Sequence, residues 1–282
     1  MKRQMIYCLI NIAGLAVALL CFCFFFMGEV IVSLRESIDT WLILIATAFV
    51  VYSLKCIRLY ITLTGTGLTM QIHIRQFLKT AAVNILIPLK LGELFRIYCY
   101  GFQIKNYARS IVAILLDRFS DTLALLTVII FATTMYGSPF SLLFYLMVGF
   151  MVFLMAAYMM FPRFYEYWNT YLLEEKANRV RLNALKTMYY FCCVYKDLRM
   201  VVEGRMVLLY VLSLLSWLCE IGGVLMVAGG EAGNMLVTRY LESALGLTDS
   251  IYQHWFVFIS LMVLAFLYAV FTILSFFRRS EG

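Results

Sequence analysis

"NILIPLKLGELFRIYCYG", residues 84–101, is the stretch on which the fold turns. The chain around it is apolar on the scale of a lipid bilayer, yet this stretch holds Asn84, Pro88, Gly92 and the charges Lys90, Glu93 and Arg96. Pro88 lacks a backbone donor and Gly92 weakens a helix, so both argue against one continuous helix here. Two arrangements remain. One is a re-entrant helix hairpin over 80–100, turning at Pro88–Gly92 and lining a cavity, where irregular backbone is tolerated at membrane depth. The other is an amphipathic helix lying in the membrane interface.

Working outward, the 282 residues are 64% hydrophobic and 14% charged, with a mean hydropathy of +0.90. That balance excludes an ordinary soluble domain and points to membrane spans. Six candidates stand out: 5–27, 41–63, 110–136, 139–161, 206–230 and 252–277. Each has about the 20 residues needed to cross roughly 30 Å of hydrocarbon at about 1.5 Å per residue. Trp41 and Trp255 lie near span ends, as interfacial anchors do. The first span follows Lys2 and Arg3 and is too long for the apolar core of a signal peptide, so it reads as uncleaved.

Loop charge sets the orientation. Lys2, Arg3, Arg75, Lys79, Lys105 and Arg109 fall on one side, with the basic 162–205 stretch and Arg278 and Arg279. The opposite loops, 28–40 and 231–251, hold Arg35 and Arg239 against Glu29, Glu36, Asp39, Glu231, Glu242 and Asp249. Positive-inside then places both termini in the cytoplasm. A single crossing by 80–100 would reverse every later loop, and two crossings need about 40 residues. The parity therefore favours the hairpin, with 101–108 cytoplasmic. The 162–205 stretch repeats apolar residues at helical spacing (Leu185, Met188, Tyr189, Cys192). It is expected as a cytoplasmic helical loop, either lying on the inner leaflet or solvated. The sequence predicts an all-α, polytopic helical membrane protein. It forms a single membrane domain over 1–282, of about six transmembrane helices plus a re-entrant helix hairpin, in the cytoplasmic (inner) membrane.

The net charge of +7 fits loops facing anionic lipid and points to no nucleic-acid partner. The eight cysteines show no metal-ligand spacing, and no metal or cofactor is expected.

Charges inside spans are costly unless they pair or meet water. Asp117, Arg118 and Asp121 fall within "AILLDRFSDTLALL", with Asp117 and Asp121 on one helix face. Glu220 follows Trp217 in "SWLCEIGG". Lys55 and Arg58, one turn apart near a span end, are expected to snorkel to the inner headgroups. The span charges admit a structural ion-pair cluster that locks helices together. They equally admit an anion site in which Lys90, Arg96 and Arg118 take a lipid headgroup. Glu93, Asp117, Asp121 and Glu220 would then orient them and balance their charge.

The stretch 84–101, with "ARSIVAILLDRFSDTLALL" after it, resembles the pattern N-x-x-x-P-x-(K/R)-x-G-E-x-x-R followed by a span of the form (E/D)-R-x-x-D. That pattern marks the membrane region of lysylphosphatidylglycerol synthases and related flippase-like proteins. Asn84, Pro88, Lys90, Gly92, Glu93, Arg96, Asp117, Arg118 and Asp121 match it, and the span with Trp217 and Glu220 resembles a later helix of the family. The resemblance covers roughly residues 1–230. It implies a flippase of an anionic lipid, either aminoacyl-phosphatidylglycerol or a polyprenyl-phosphate-linked sugar. The family's lysyltransferase activity belongs to a cytoplasmic domain with no counterpart in this sequence, so no catalytic residues are expected. Relatives carry a second Pro/Gly-rich re-entrant element near the C-terminus, whereas "GLTDSIYQHWFVFISLMVLAF" has no proline. A homodimer, or a lipid-synthesising or glycosyltransferase partner, would complete such a cavity. Two other functions stand beside transport: a lipid-modifying transferase, and a non-catalytic scaffold of a surface-polysaccharide complex.

Overall fold

The structure, a computed structural model, describes residues 2–25, 37–87, 91–136, 142–174, 179–228, 237, 240, 241, 243 and 251–280. Eight long helices make up almost all of it: α1 (Lys2–Phe25), α2 (Ile38–Thr62), α3 (Met70–Leu86), α4 (Leu91–Ile104), α5 (Tyr107–Tyr136), α6 (Leu142–Glu174), α7 (Arg179–Val227) and α8 (Ile251–Ser280). No strand occurs among the described residues. Five of the helices hold stretches long and apolar enough to cross a membrane: Gln4–Cys23, Ile38–Thr62, Phe144–Leu173, Arg179–Val227 and Tyr252–Leu274. The sixth expected span lies in α5, 30 residues long, whose first half carries Asp117, Arg118 and Asp121. Large apolar side chains such as Leu9 and Leu20 on α1, and Phe153 and Met159 on α6, face outward. Such faces suit lipid.

Local chemistry sets the breaks. Ser37 caps α2 by accepting a hydrogen bond from the Thr40 N–H at 3.3 Å. Beyond α2 the chain turns through Gly65 and Gly67, both at positive φ, a conformation open to glycine without a Cβ clash. Between α4 and α5, Lys105 adopts φ 58° and Asn106 Oδ1 accepts from the Arg109 N–H at 3.1 Å, capping α5.

The broken stretch forms an antiparallel hairpin of α3 and α4. With 17 and 14 residues, the arms are about 26 and 21 Å long, each short of the roughly 30 Å of hydrocarbon. The arms begin at Met70 and end at Ile104, well outside the expected 80–100. A Cβ on Gly92 would overlap the Asn84 backbone, so glycine permits the close approach of the arms beside their turn. Asn84 Nδ2 donates to Glu93 Oε1 at 2.9 Å and clasps them there. Pro88 and Lys90 lie outside the described residues.

α3 packs on α1 and α8, and α4 packs on α5, so the hairpin is enclosed by the bundle. His73, fully buried, fixes its open end: Nε2 lies 3.0 Å from the Cys56 carbonyl on α2, and Nδ1 lies 3.3 Å from the Tyr100 hydroxyl on α4. The corners on either side of the hairpin are held to one region of α7. Arg205 donates to the Ile61 carbonyl at 2.9 Å, and Arg109 to the Asp197 carbonyl at 3.2 Å. The hairpin thus starts and finishes at one end of the bundle.

The 162–205 stretch differs from a loop with its own helices. Residues 162–174 continue α6 through Pro162, and residues 179–205 open the 49-residue α7. Tyr195 of α7 packs on Tyr158 and Phe161 of α6, with ring centroids 5.2 and 4.8 Å apart. Side-chain packing beside Pro162 holds the helix together where proline removes one backbone bond.

Candidate headgroup site

Against the hairpin arm α4, four helices contribute side chains to one cluster. α4 supplies Glu93 and Arg96, α5 supplies Asp117, Arg118 and Asp121, α2 supplies Lys55 and Arg58, and α7 supplies Ser213 and Glu220. Asp117 lies ten residues into α5, about 15 Å along it. An unpaired carboxylate there would be costly.

Arg58 is at the centre. Its guanidinium, 2% exposed, donates from Nε to Asp117 Oδ1 and from Nη1 to Asp121 Oδ1, both at 2.7 Å, and to Ser213 Oγ at 2.5 Å. The expectation that Arg58 snorkels outward is therefore wrong, because the two carboxylates of α5 face it across the helix interface. Lys55 also turns inward, its Nζ 3.5 Å from Glu220 Oε2. Glu220 in turn accepts from the Tyr240 hydroxyl at 2.7 Å.

Arg96, 4% exposed, shares Asp117 by donating from Nη1 to Oδ2 at 3.3 Å. The same nitrogen lies 3.8 Å from Glu93 Oε2. Arg118 pairs with Glu93 through Nη2 and Oε1. Glu93 thus bridges the arginines of α4 and α5 while Asn84 holds it from the hairpin.

The structure brings together Asn84, Gly92, Glu93, Arg96, Asp117, Arg118 and Asp121 from the expected site. Asp121 pairs with Arg58 rather than with Arg96 or Arg118. Glu220 forms a separate pair, joined through α2. Arg58, Lys55, Ser213 and Tyr240 were not anticipated. Charge counting over the expected span would have flagged Arg58, since residues 110–136 carry two acids against one arginine and need a cation from elsewhere.

The four cations (Lys55, Arg58, Arg96, Arg118) match the four anions (Glu93, Asp117, Asp121, Glu220) in number. Exposure is graded across them: the Arg58 and Asp117 side chains are shut in, whereas that of Arg118 is 42% exposed. Around Glu93, the buried atoms Arg96 Nε, Arg118 Nε and Glu93 Oε2 have no hydrogen-bond partner among the described residues. The inner half is a fixed bed of ion pairs. The part around Glu93 keeps guanidinium donors in reserve.

No curated protein sequence and no solved structure matches the chain. The pattern describing the lysylphosphatidylglycerol synthase TM region matches residues 11–231, a stretch running from α1 through α7 and containing the hairpin and the ion-pair cluster. By that match, which takes in most of its length, the chain belongs to the lysylphosphatidylglycerol synthase family through its membrane region.

Proposed function

We propose that the protein is a flippase-like carrier of an anionic lipid across the cytoplasmic membrane. The cargo is an aminoacyl-phosphatidylglycerol or a polyprenyl-phosphate-linked sugar. Both termini are cytoplasmic, and the α3–α4 hairpin enters from that side. The observation that carries this reading is the pair of unsatisfied guanidinium donors, Arg96 Nε and Arg118 Nε, on either side of Glu93.

A phosphate entering beside Arg118 competes with Glu93 for both arginines. Guanidinium forks bind such oxyanions through paired, charge-assisted hydrogen bonds. Glu93 keeps the Asn84 amide when it yields an arginine, which limits the cost of the exchange. Arg58, Asp117 and Asp121 hold the helices while the outer pairs trade partners. Lys90 is assigned to the same headgroup from its place in the sequence, two residues before Gly92. Exchange of partners within a neutral cluster lets a charged headgroup enter without leaving a lone charge in low dielectric.

The test is a leaflet-resolved lipid assay in proteoliposomes. Arg96→Ala and Arg118→Ala are expected to abolish the protein-dependent movement of labelled anionic lipid. Wild-type movement by Arg96→Ala would sink the headgroup site. A chemically altered lipid in the same vesicles would point to the transferase instead. Absence of any movement by the wild-type protein would favour a scaffold.

A further inference from the structure

A second cationic site lies away from the ion-pair cluster, on the outer side of the hairpin. A cavity of about 360 Å³ is lined by Tyr7 of α1, Ile72, Arg75, Gln76 and Lys79 of α3, Gln103 of α4 and Tyr268 of α8. That volume lies within the range of small-molecule sites, about 300–1,000 Å³. Positions 72, 75, 76 and 79 share one face of α3, so the helix presents the donors of Arg75, Gln76 and Lys79 to the cavity with Ile72 beside them.

Lys79 forms its inner wall. It is 9% exposed, yet its ammonium has no carboxylate within ion-pair distance among the described residues. Its contacts are neutral: the Asn11 Oδ1, the Tyr7 hydroxyl at 3.4 Å, and the faces of Tyr7 and Phe95 at 5.4 and 5.7 Å. An ammonium carries three N–H donors, and these contacts supply two oxygen acceptors. A desolvated charge without a counter-charge is costly in a membrane protein. Arg75, one turn nearer the open end of the hairpin and exposed, has no hydrogen bond or ion pair at all among the described residues. Gln76 Nε2 donates to the Tyr7 hydroxyl at 3.3 Å and holds that ring at the mouth. In the headgroup cluster every cation has an acid. Here two cations have none.

We propose that this cavity binds a phosphate group, with Lys79 as the inner point charge and Arg75 as the guanidinium at the rim. The occupant that fits is the phosphodiester of an inner-leaflet phospholipid. Within the lining, the exposed side chain of Ile72 offers apolar surface beside the cations for an acyl chain. The site does not rest on the transport reading, because none of its residues belongs to the ion-pair cluster.

The experiment is equilibrium binding to the full-length protein in detergent micelles, read by ligand-dependent thermal stabilisation. Three probes separate the sources: dioctanoyl-phosphatidylglycerol, inorganic phosphate, and dioctanoylglycerol, which keeps the chains without phosphate. The phosphatidylglycerol is expected to bind saturably and the dioctanoylglycerol not to. Lys79→Met is expected to weaken binding by about tenfold or more, the loss of one charged hydrogen bond. Lys79→Arg should retain most of it, and Gly149→Ala, which meets open space on α6 away from both cationic sites, should leave it intact. Inorganic phosphate binding as tightly as the lipid would support the phosphate site and move its occupant from leaflet to cytosol. Equal stabilisation by dioctanoylglycerol, or Lys79→Met within twofold of wild type, would overturn the proposal. Should Lys79→Met fail to fold, Arg75→Gln at the exposed rim carries the test, and unchanged affinity there refutes the site. Binding lost in Arg96→Ala but kept in Lys79→Met would place the lipid in the ion-pair cluster instead.

Discussion

Replacing Arg58 with methionine keeps most of the stem and removes the guanidinium at the centre of the cluster. Three hydrogen bonds go with it, to Asp117, Asp121 and Ser213. Polar contacts between membrane helices average about 0.6 kcal/mol each, so three set a lower figure of about 2 kcal/mol. Breaking a buried ion pair from one side costs about 3–5 kcal/mol when the charge left behind has no substitute. Asp117 retains Arg96 at 3.3 Å, whereas Asp121 has no other ion pair among the described residues. The expected loss therefore falls at about 2–4 kcal/mol, between the hydrogen-bond floor and the full penalty. At roughly 2–4 °C per kcal/mol for a large domain, the melting temperature should fall by about 4 °C at least. Thermal unfolding of the purified protein in detergent micelles measures this directly. The double variant Arg58→Met with Asp121→Asn should recover part of the loss, because it removes the stranded carboxylate. Arg58→Met melting within about 1 °C of wild type would refute a central role for Arg58 and restore the picture of a snorkelling anchor.

Gly92→Ala should prevent the hairpin from closing, since the added methyl overlaps the Asn84 backbone; a wild-type melting curve would contradict the close approach. Gly149→Ala, which meets open space, should leave the melting temperature unchanged or slightly raised, helix propensity favouring alanine by about 1 kcal/mol. Arg96→Lys should be a poor substitute in the lipid-movement assay, falling about ten- to 150-fold with the loss of a charged hydrogen bond. Activity within twofold of wild type would mean that charge alone matters. A cysteine at position 106 should react with impermeant thiol reagents only from the cytoplasmic side, and outside labelling of intact cells would overturn the assigned orientation.

Much of this arrangement could be read from residue order because membrane energetics leave few choices. Pro88 with Gly92 forced a break, and the basic corners forced both ends of the break to one side. Glu93, Arg96, Asp117 and Arg118 had to find one another, since each is costly alone in an apolar run. Arg58 was illegible for a geometric reason. It lies one turn from the end of α2, where a long stem can reach outward to headgroups or inward to a partner. Which way it turns depends on α5, a neighbour that the local pattern of α2 does not reveal. Lys79 was hidden differently. Gln71, His73, Arg75, Gln76 and Lys79 make the first half of α3 as polar as a loop, so this arm was expected to begin at residue 80. The expected span 139–161 ends just before Pro162, but packing of Tyr195 against Tyr158 and Phe161 carries α6 past it.

The equal numbers of cations and anions in the cluster have an electrical consequence. A transmembrane voltage acts on net charge, with about 2.3 kcal/mol for each elementary charge moved through 100 mV. Four positive and four negative side chains sum to zero, so displacing the whole cluster along the field does almost no electrical work. Only the separation of its poles, as when Arg118 parts from Glu93, couples to the field. In the proposed lipid carrier, the current in each cycle would then be set by the valence of the lipid, and a current–voltage measurement would weigh the charge of the cargo rather than that of the cluster.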